Sequence, residues 1–154
     1  MRTRVLCLPT IILAMAVQTF AASPTQPVIV ARVNRHDISE AIPTTILFTP
    51  SHTGLFRVST YMTMASQGAG GLGQLWRLWV DYFDGASAES VCLSSLDPSE
   101  APPGDTPYGC YDSSLASPFM FEAVAGQPVA FHLNAPGHDP KGTVSVAIVV
   151  EKLE

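Results

Sequence analysis

The residues from Ser51 to Ala86, SHTGLFRVSTYMTMASQGAGGLGQLWRLWVDYFDGA, alternate at a period of two on either side of a glycine-rich loop. Phe56, Val58, Met62 and Met64 alternate with Arg57, Ser59 and Thr63, which is the pattern of a strand with one buried face. The alternation is imperfect, because Leu55 and Tyr61 fall on the outer face and Thr60 on the inner. After the loop, Trp76, Leu78, Val80 and Tyr82 form one face, and Leu75, Arg77, Trp79, Asp81 and Phe83 the other. The pattern predicts a central hairpin of two long strands that organises the rest of the chain.

The flanking segments repeat the theme. Val28 to Val33, Thr44 to Phe48, Ser90 to Leu96, Phe119 to Val124 and Val129 to Leu133 read as short strands, separated by turn clusters at 34–37, 50–54, 84–85 and 125–128. Residues 38–42 are ambiguous. In the last strand Val144, Val146, Ile148 and Val150 alternate with Ser145, Ala147 and Val149, a small or apolar second face that suits a strand covered on both sides. Beyond the leader, no stretch shows apolar spacing of three and four over more than two turns, so no helix is expected. Strands at intervals of about ten residues predict an all-β antiparallel sandwich of jelly-roll type.

The first residues are expected to lie outside that fold. Arg2 and Arg4 precede an apolar run from Val5 to Val17, and Thr19 and Ala21 supply the small residues of a cleavage site after Ala21. This is the layout of a secretory signal peptide, and the run is too short to span a bilayer, which takes about 20 apolar residues. No later stretch reads as a transmembrane segment. The expected organisation is a signal peptide over 1–21 and one β-sandwich domain over 22–154, secreted to an extracellular or periplasmic compartment. Without the leader, Lys+Arg falls from 8 to 6 against 13 Asp+Glu. A chain so acidic has no electrostatic reason to bind nucleic acid or an anionic membrane.

Processing also removes Cys7 and leaves Cys92 and Cys110. In an oxidising compartment such a pair most simply forms one disulfide. It would close a loop of about 18 residues and contribute roughly 3 kcal/mol by the chain-entropy account. Asp97 to Gly109 (DPSEAPPGDTPYG), with its prolines and glycines, reads as an irregular loop inside that closure.

Candidate chemistry is sparse. GAGGLG at 68–73 is a literal GxGxxG, but a strand pattern follows it where a dinucleotide site needs a helix N-terminus, so it reads as a loop with no cofactor. His36-Asp37 and His138-Asp139 pair imidazole with carboxylate, and His52 and His132 complete the histidines. None has the spacing of a metal ligand set, and no metal is assigned. Asp97, Glu100, Asp105 and Asp112 offer oxygen ligands of the kind calcium takes, without a recognisable calcium loop. No serine sits in a Gly-x-Ser-x-Gly elbow, and Asp81, Asp84 and Glu89 look like turn acids rather than a glycosidase pair.

FTPSHTGLF at 48–56 resembles the strand–turn–strand opening of the complement-type and tumour-necrosis-factor-like jelly-roll heads. VAGQPVAF at 124–131 is similar to that family's late hairpin, and residues 142–150 to its closing strand. Gln127-Pro128 stands where the family carries an acidic turn, and no collagen-like stalk precedes the head. The resemblance implies a compact extracellular binding head that assembles as a trimer.

The surface expected to bind is the outer face of the second central strand. There Trp79 and Phe83 share space with Arg77 and Asp81. Either a further layer covers these aromatics, or they lie at a subunit or ligand interface, where Trp, Phe and Arg are enriched. The functional expectation is a secreted, non-catalytic module, structural or adhesive, that binds an extracellular protein or self-associates. The alternative is a carbohydrate-binding module stacking a glycan on Trp79, Phe83 and Trp76 or Tyr82. A small secreted hydrolase is the third reading. Intact-mass analysis of the exported protein tests the leader and the cysteines together. The expected product begins at Ala22, and Cys92 and Cys110 take up alkylating reagent only after reduction.

Overall fold

The computed structural model describes residues 26–68, 75–97, 118–137 and 140–153. The leader, Cys110, the glycine run after Gly68, and His138-Asp139 lie outside them. Among the described residues there are eight strands: β1 (Val28–Ile38), β2 (Ile42–Phe48), β3 (Gly54–Ser66), β4 (Trp76–Phe83), β5 (Ala88–Leu96), β6 (Phe119–Ala123), β7 (Val129–Asn134) and β8 (Thr143–Lys152). No described helix is long and apolar enough to cross a membrane.

The strands form two four-stranded antiparallel sheets, in the orders β1-β8-β3-β6 and β2-β7-β4-β5. Successive strands therefore change sheet at every connection except β4–β5. This is the arrangement of a jelly roll, in which a two-layer sandwich is wound from Greek keys.

The expected central hairpin is not one. β3 lies in the first sheet and β4 in the second, facing each other across the core. Alternation reports which face of a strand is apolar, and both strands do bury that face. Phe56, Val58, Met62 and Met64 come from β3, and Trp76, Leu78 and Val80 from β4, all 0–2% exposed. It does not report which strand lies alongside. The same holds for the expected late hairpin, since β6 and β7 also belong to opposite sheets. The true hairpin is β4–β5, turned at Asp84 to Ser87, with Phe83 opposite Ala88 and Trp76 opposite Leu96.

Two polar interruptions in the strand patterns have local explanations. Thr60, on the inner side of β3, meets buried Ser94 of β5 across the sandwich, hydroxyl to hydroxyl at 3.2 Å. Each thereby satisfies a hydrogen-bonding group that would be costly to bury alone. Residues 34–37, read as a turn, instead continue β1 through an irregularity between Arg35 and Ile38. Asp37 takes φ 53° there, a left-handed conformation that Asp tolerates better than most residues.

β8 is an interior strand of the first sheet, flanked by β1 and β3. Its inner residues Val144, Val146, Ile148 and Val150 are 0–1% exposed. Its outer residues Ser145, Ala147 and Val149 are half-buried rather than covered, because only neighbouring side chains in the same sheet shield them.

One end of the sandwich is tied by side chains. The Trp76 indole donates to the Lys141 carbonyl at 3.0 Å, and the Lys141 ammonium pairs with Glu40 at 2.9 Å. Gly142, beside it, has φ +68°, and a Cβ there would run into the Ser66 carbonyl. Gly126 has φ +76° with open space around it. Alanine at Gly126 should therefore cost only the backbone strain, about 1 kcal/mol. Alanine at Gly142 adds a clash and should cost more, about 3 kcal/mol or above. Denaturant midpoints of the two variants check the order, and equal losses would contradict this account of Gly142.

Candidate functional site

The outer face of the second sheet is where the expected site residues fall. In register, Trp79 of β4 lies between His132 of β7 and Cys92 of β5. Asp81 lies between Ala130 and Ser90, and Arg77 between Asn134 and Ser95. The period-two pattern of β4 puts Arg77, Trp79, Asp81 and Phe83 on this face while Trp76, Leu78 and Val80 enter the core.

None of the four is fully exposed; all are half-buried. The Trp79 ring stacks on the His132 ring, with centroids 5.9 Å apart and planes 7° from parallel. Its indole N–H is buried without a hydrogen-bond acceptor among the described residues. His132 Nδ1 meets Asp81 Oδ2 at 2.9 Å, and the Ser90 hydroxyl donates to Asp81 Oδ1 at 2.6 Å. A carboxylate only accepts, so Nδ1 carries the proton of that bond. Arg77 makes no ion pair among the described residues.

Serine, aspartate and histidine thus meet, but in an order unlike that of a hydrolase. A nucleophilic serine stands against the imidazole, which takes its proton, while the carboxylate steadies the far side of the ring. Here the carboxylate is in the middle. Ser90 and His132 bond to its two different oxygens, so the imidazole is not placed to activate the hydroxyl. The chain of contacts fixes three strands side by side and orients Trp79.

The other candidate residues divide clearly. Trp76 is in the core, and Tyr82 packs on Phe119 and Phe121 with centroids at 6.1 and 4.7 Å. Neither offers the stacking platform that a glycan site would draw from it. Cys92 is buried, and its expected partner Cys110 lies outside the described residues. His36 is exposed on β1, and His52 lies within 3.0 Å of the neighbouring Ser51 hydroxyl. Of the four acids considered for calcium, Asp97 alone falls among the described residues, where no group of three metal-binding side chains occurs. The residues after the GxGxxG form β4, a strand as expected.

Sequence reasoning does not single out Ser90, and it weighs His132 only as one of four histidines considered as metal ligands. Each sits on the polar side of a recognisable strand, and only the pairing of β7 and β5 with β4 brings them to Asp81.

The neighbouring turn acid is well defined. Asp84 accepts hydrogen bonds from the Ala86 and Ser87 amides at 2.8 and 2.9 Å, and these hold its carboxyl below the usual range. Burial, then Glu89 and Asp84, push the Tyr82 phenol upward.

No family model and no curated protein matches this chain. Two solved structures of a pentameric capsid protein isolated from metagenomic phage sequences are similar to it at 14% identity and a TM-score of 0.35, over 94% of this chain and 79% and 78% of theirs. A likeness that distant assigns neither fold nor function here.

The Asp84 turn yields a pH test. A lowered folded pKa means that the stabilisation is present above the unfolded value, near 3.8, and is lost as pH falls through the folded value. Asp84→Asn keeps an acceptor for both amides but carries no charge. Wild type should be the more stable near neutrality, and the difference should close as the pH falls below 4. Acid denaturation curves of the two proteins check this, and a pH-independent difference would refute it.

Proposed function

We propose that the protein is a secreted, non-catalytic β-sandwich module with a structural or adhesive role, and that it works as an assembly of its own copies. The observation that carries this reading is the exposure of large apolar side chains on the first sheet. Val28, Ile29, Tyr61 and Met120 are each at least half exposed. The register sets Ile29 and Met120 at the two ends of one row across the outer face, with the Arg57–Glu151 ion pair between them and Tyr61 four residues further along β3. Soluble chains cover such apolar surface by association.

The outer face of the second sheet supports the same class of function. Its Ser–Asp–His contacts are ordered for holding strands together. Trp79, Phe83, Arg77 and Asp81 form a second candidate contact surface of the composition found at interfaces. With Trp76 in the core, Tyr82 packed on Phe119 and Phe121, and His132 against one face of Trp79, a flat multi-ring sugar platform has little support. The jelly-roll strand order is compatible with a trimeric head of the complement or tumour-necrosis-factor type, which is the finer form of the proposal.

Light scattering behind a sizing column, on the processed and oxidised chain, tests the reading. The expected result is a stable multiple of the chain mass, three for the trimeric head. A monomer at every accessible concentration would overturn it. Trp79→Ala with an unchanged mass and an unchanged fold would remove the second face from the assembly surface.

A further inference from the structure

Among the described residues four strands form the edges of the two sheets, and three carry some protection. β2 has Pro43 as its second residue, which has no N–H to offer, although it exposes Ile46 at 64%. β5 buries Cys92, Ser94, Ser95 and Leu96 along its second half. β6 is only five residues long. β1 is eleven residues long, begins with three exposed apolar residues, Val28, Ile29 and Val30 at 60%, 50% and 36%, and between its two ladder irregularities pairs regularly from Ala31 to Arg35. An edge of that length and composition is a template for another strand.

β1 and β6 are also the two ends of one sheet, and their side chains are complementary. β1 carries exposed Arg32 and Arg35, neither in an ion pair among the described residues. β6 carries exposed Met120 and Glu122, the latter likewise unpaired. The register places Ile29, Arg32, Met120 and Glu122 on the same outer face. Ile29 and Arg32 lie opposite Glu151 and Val149 of β8, and those lie opposite Arg57 and Ser59 of β3. Arg57 and Leu55 of β3 in turn face Met120 and Glu122. Each strand is antiparallel to its neighbour, so β6 runs antiparallel to β1 and can continue the sheet beyond it.

We infer that β1 of one copy pairs with β6 of the next, continuing the first sheet from chain to chain with Arg32 facing Glu122 across the junction. The inference rests on the self-association proposed above and names the surface that performs it. The contact is head-to-tail, so it closes into a ring if the rotation between copies allows and otherwise extends. With Arg32 opposite Glu122, antiparallel pairing lays Phe119–Ala123 along Ala31–Arg35 with Met120 opposite Asn34, and the arginine and glutamate set the register.

A charge swap tests the junction. Arg32→Glu and Glu122→Arg should each weaken association by about tenfold or more, because each sets like charges together. The double variant Arg32→Glu/Glu122→Arg should restore the wild-type mass. Both positions are exposed, and circular dichroism with thermal melting shows whether each variant retains the fold. An oligomer that survives both single variants unchanged overturns the junction while leaving self-association intact. Loss in both singles without recovery in the double overturns the Arg32–Glu122 pairing. A monomeric wild type overturns the junction and the self-association reading together.

Discussion

The fold depends on one apolar layer shared by two sheets. Neither sheet is stable alone, because each buries only one face, and that face has no other apolar surface to meet. Phe56, Met62 and Ile148 project from the first sheet, and Trp76, Leu78, Phe131 and Leu133 from the second, all at most 2% exposed. Because consecutive strands alternate between sheets, nearly every loop crosses the sandwich and connects the two halves of this layer. The polar contacts inside it are few and satisfied. Thr60 meets Ser94, and the Trp76 indole reaches the Lys141 carbonyl. Mutual satisfaction is what allows polar atoms so close to a dry core.

The elements were legible in the sequence because burial of one face imposes a period of two. β2, β5, β7 and β8 fell close to their expected places. Pairing was not legible, for a physical reason that β3 and β4 show well. A strand's inner face looks the same whether the next strand lies beside it or across the core, since either arrangement buries Phe56 and Trp76. The connection was the better guide, because more than a tight turn lies between Ser66 and Trp76, and a long connection permits a crossing. Asp84-Gly85 is different. There a side chain that caps two amides and a glycine at φ 99° make a tight turn, and the strands on either side do pair.

The candidate site was half legible for the same reason. Arg77, Trp79, Asp81 and Phe83 could be placed on one face from β4 alone. Their surroundings come from β5 and β7, and no spacing within β4 announces Ser90 or His132. A carboxylate flanked by a serine and a histidine invites a catalytic reading when only the residue types are counted. Geometry decides between hydrolysis and scaffolding. A base must touch the nucleophile it activates, and Asp81 stands between them.

Unequal protection of the edges is the last consequence of this topology. A sandwich leaves four edges, and a chain that remains single has reason to blunt all of them. Proline, burial and shortness blunt β2, β5 and β6, whereas the regular stretch of β1 from Ala31 to Arg35 has no further strand beside it among the described residues. The β1 ladder is irregular between Ile29 and Ala31 and again between Arg35 and Ile38, and these two irregularities bracket the regular stretch that carries Arg32 and Arg35. An open edge on a chain that otherwise guards its edges is more economically explained as a place for a strand than as a lapse. The same sheet supplies, at its opposite end, a short strand of matching hydrophobicity and opposite charge.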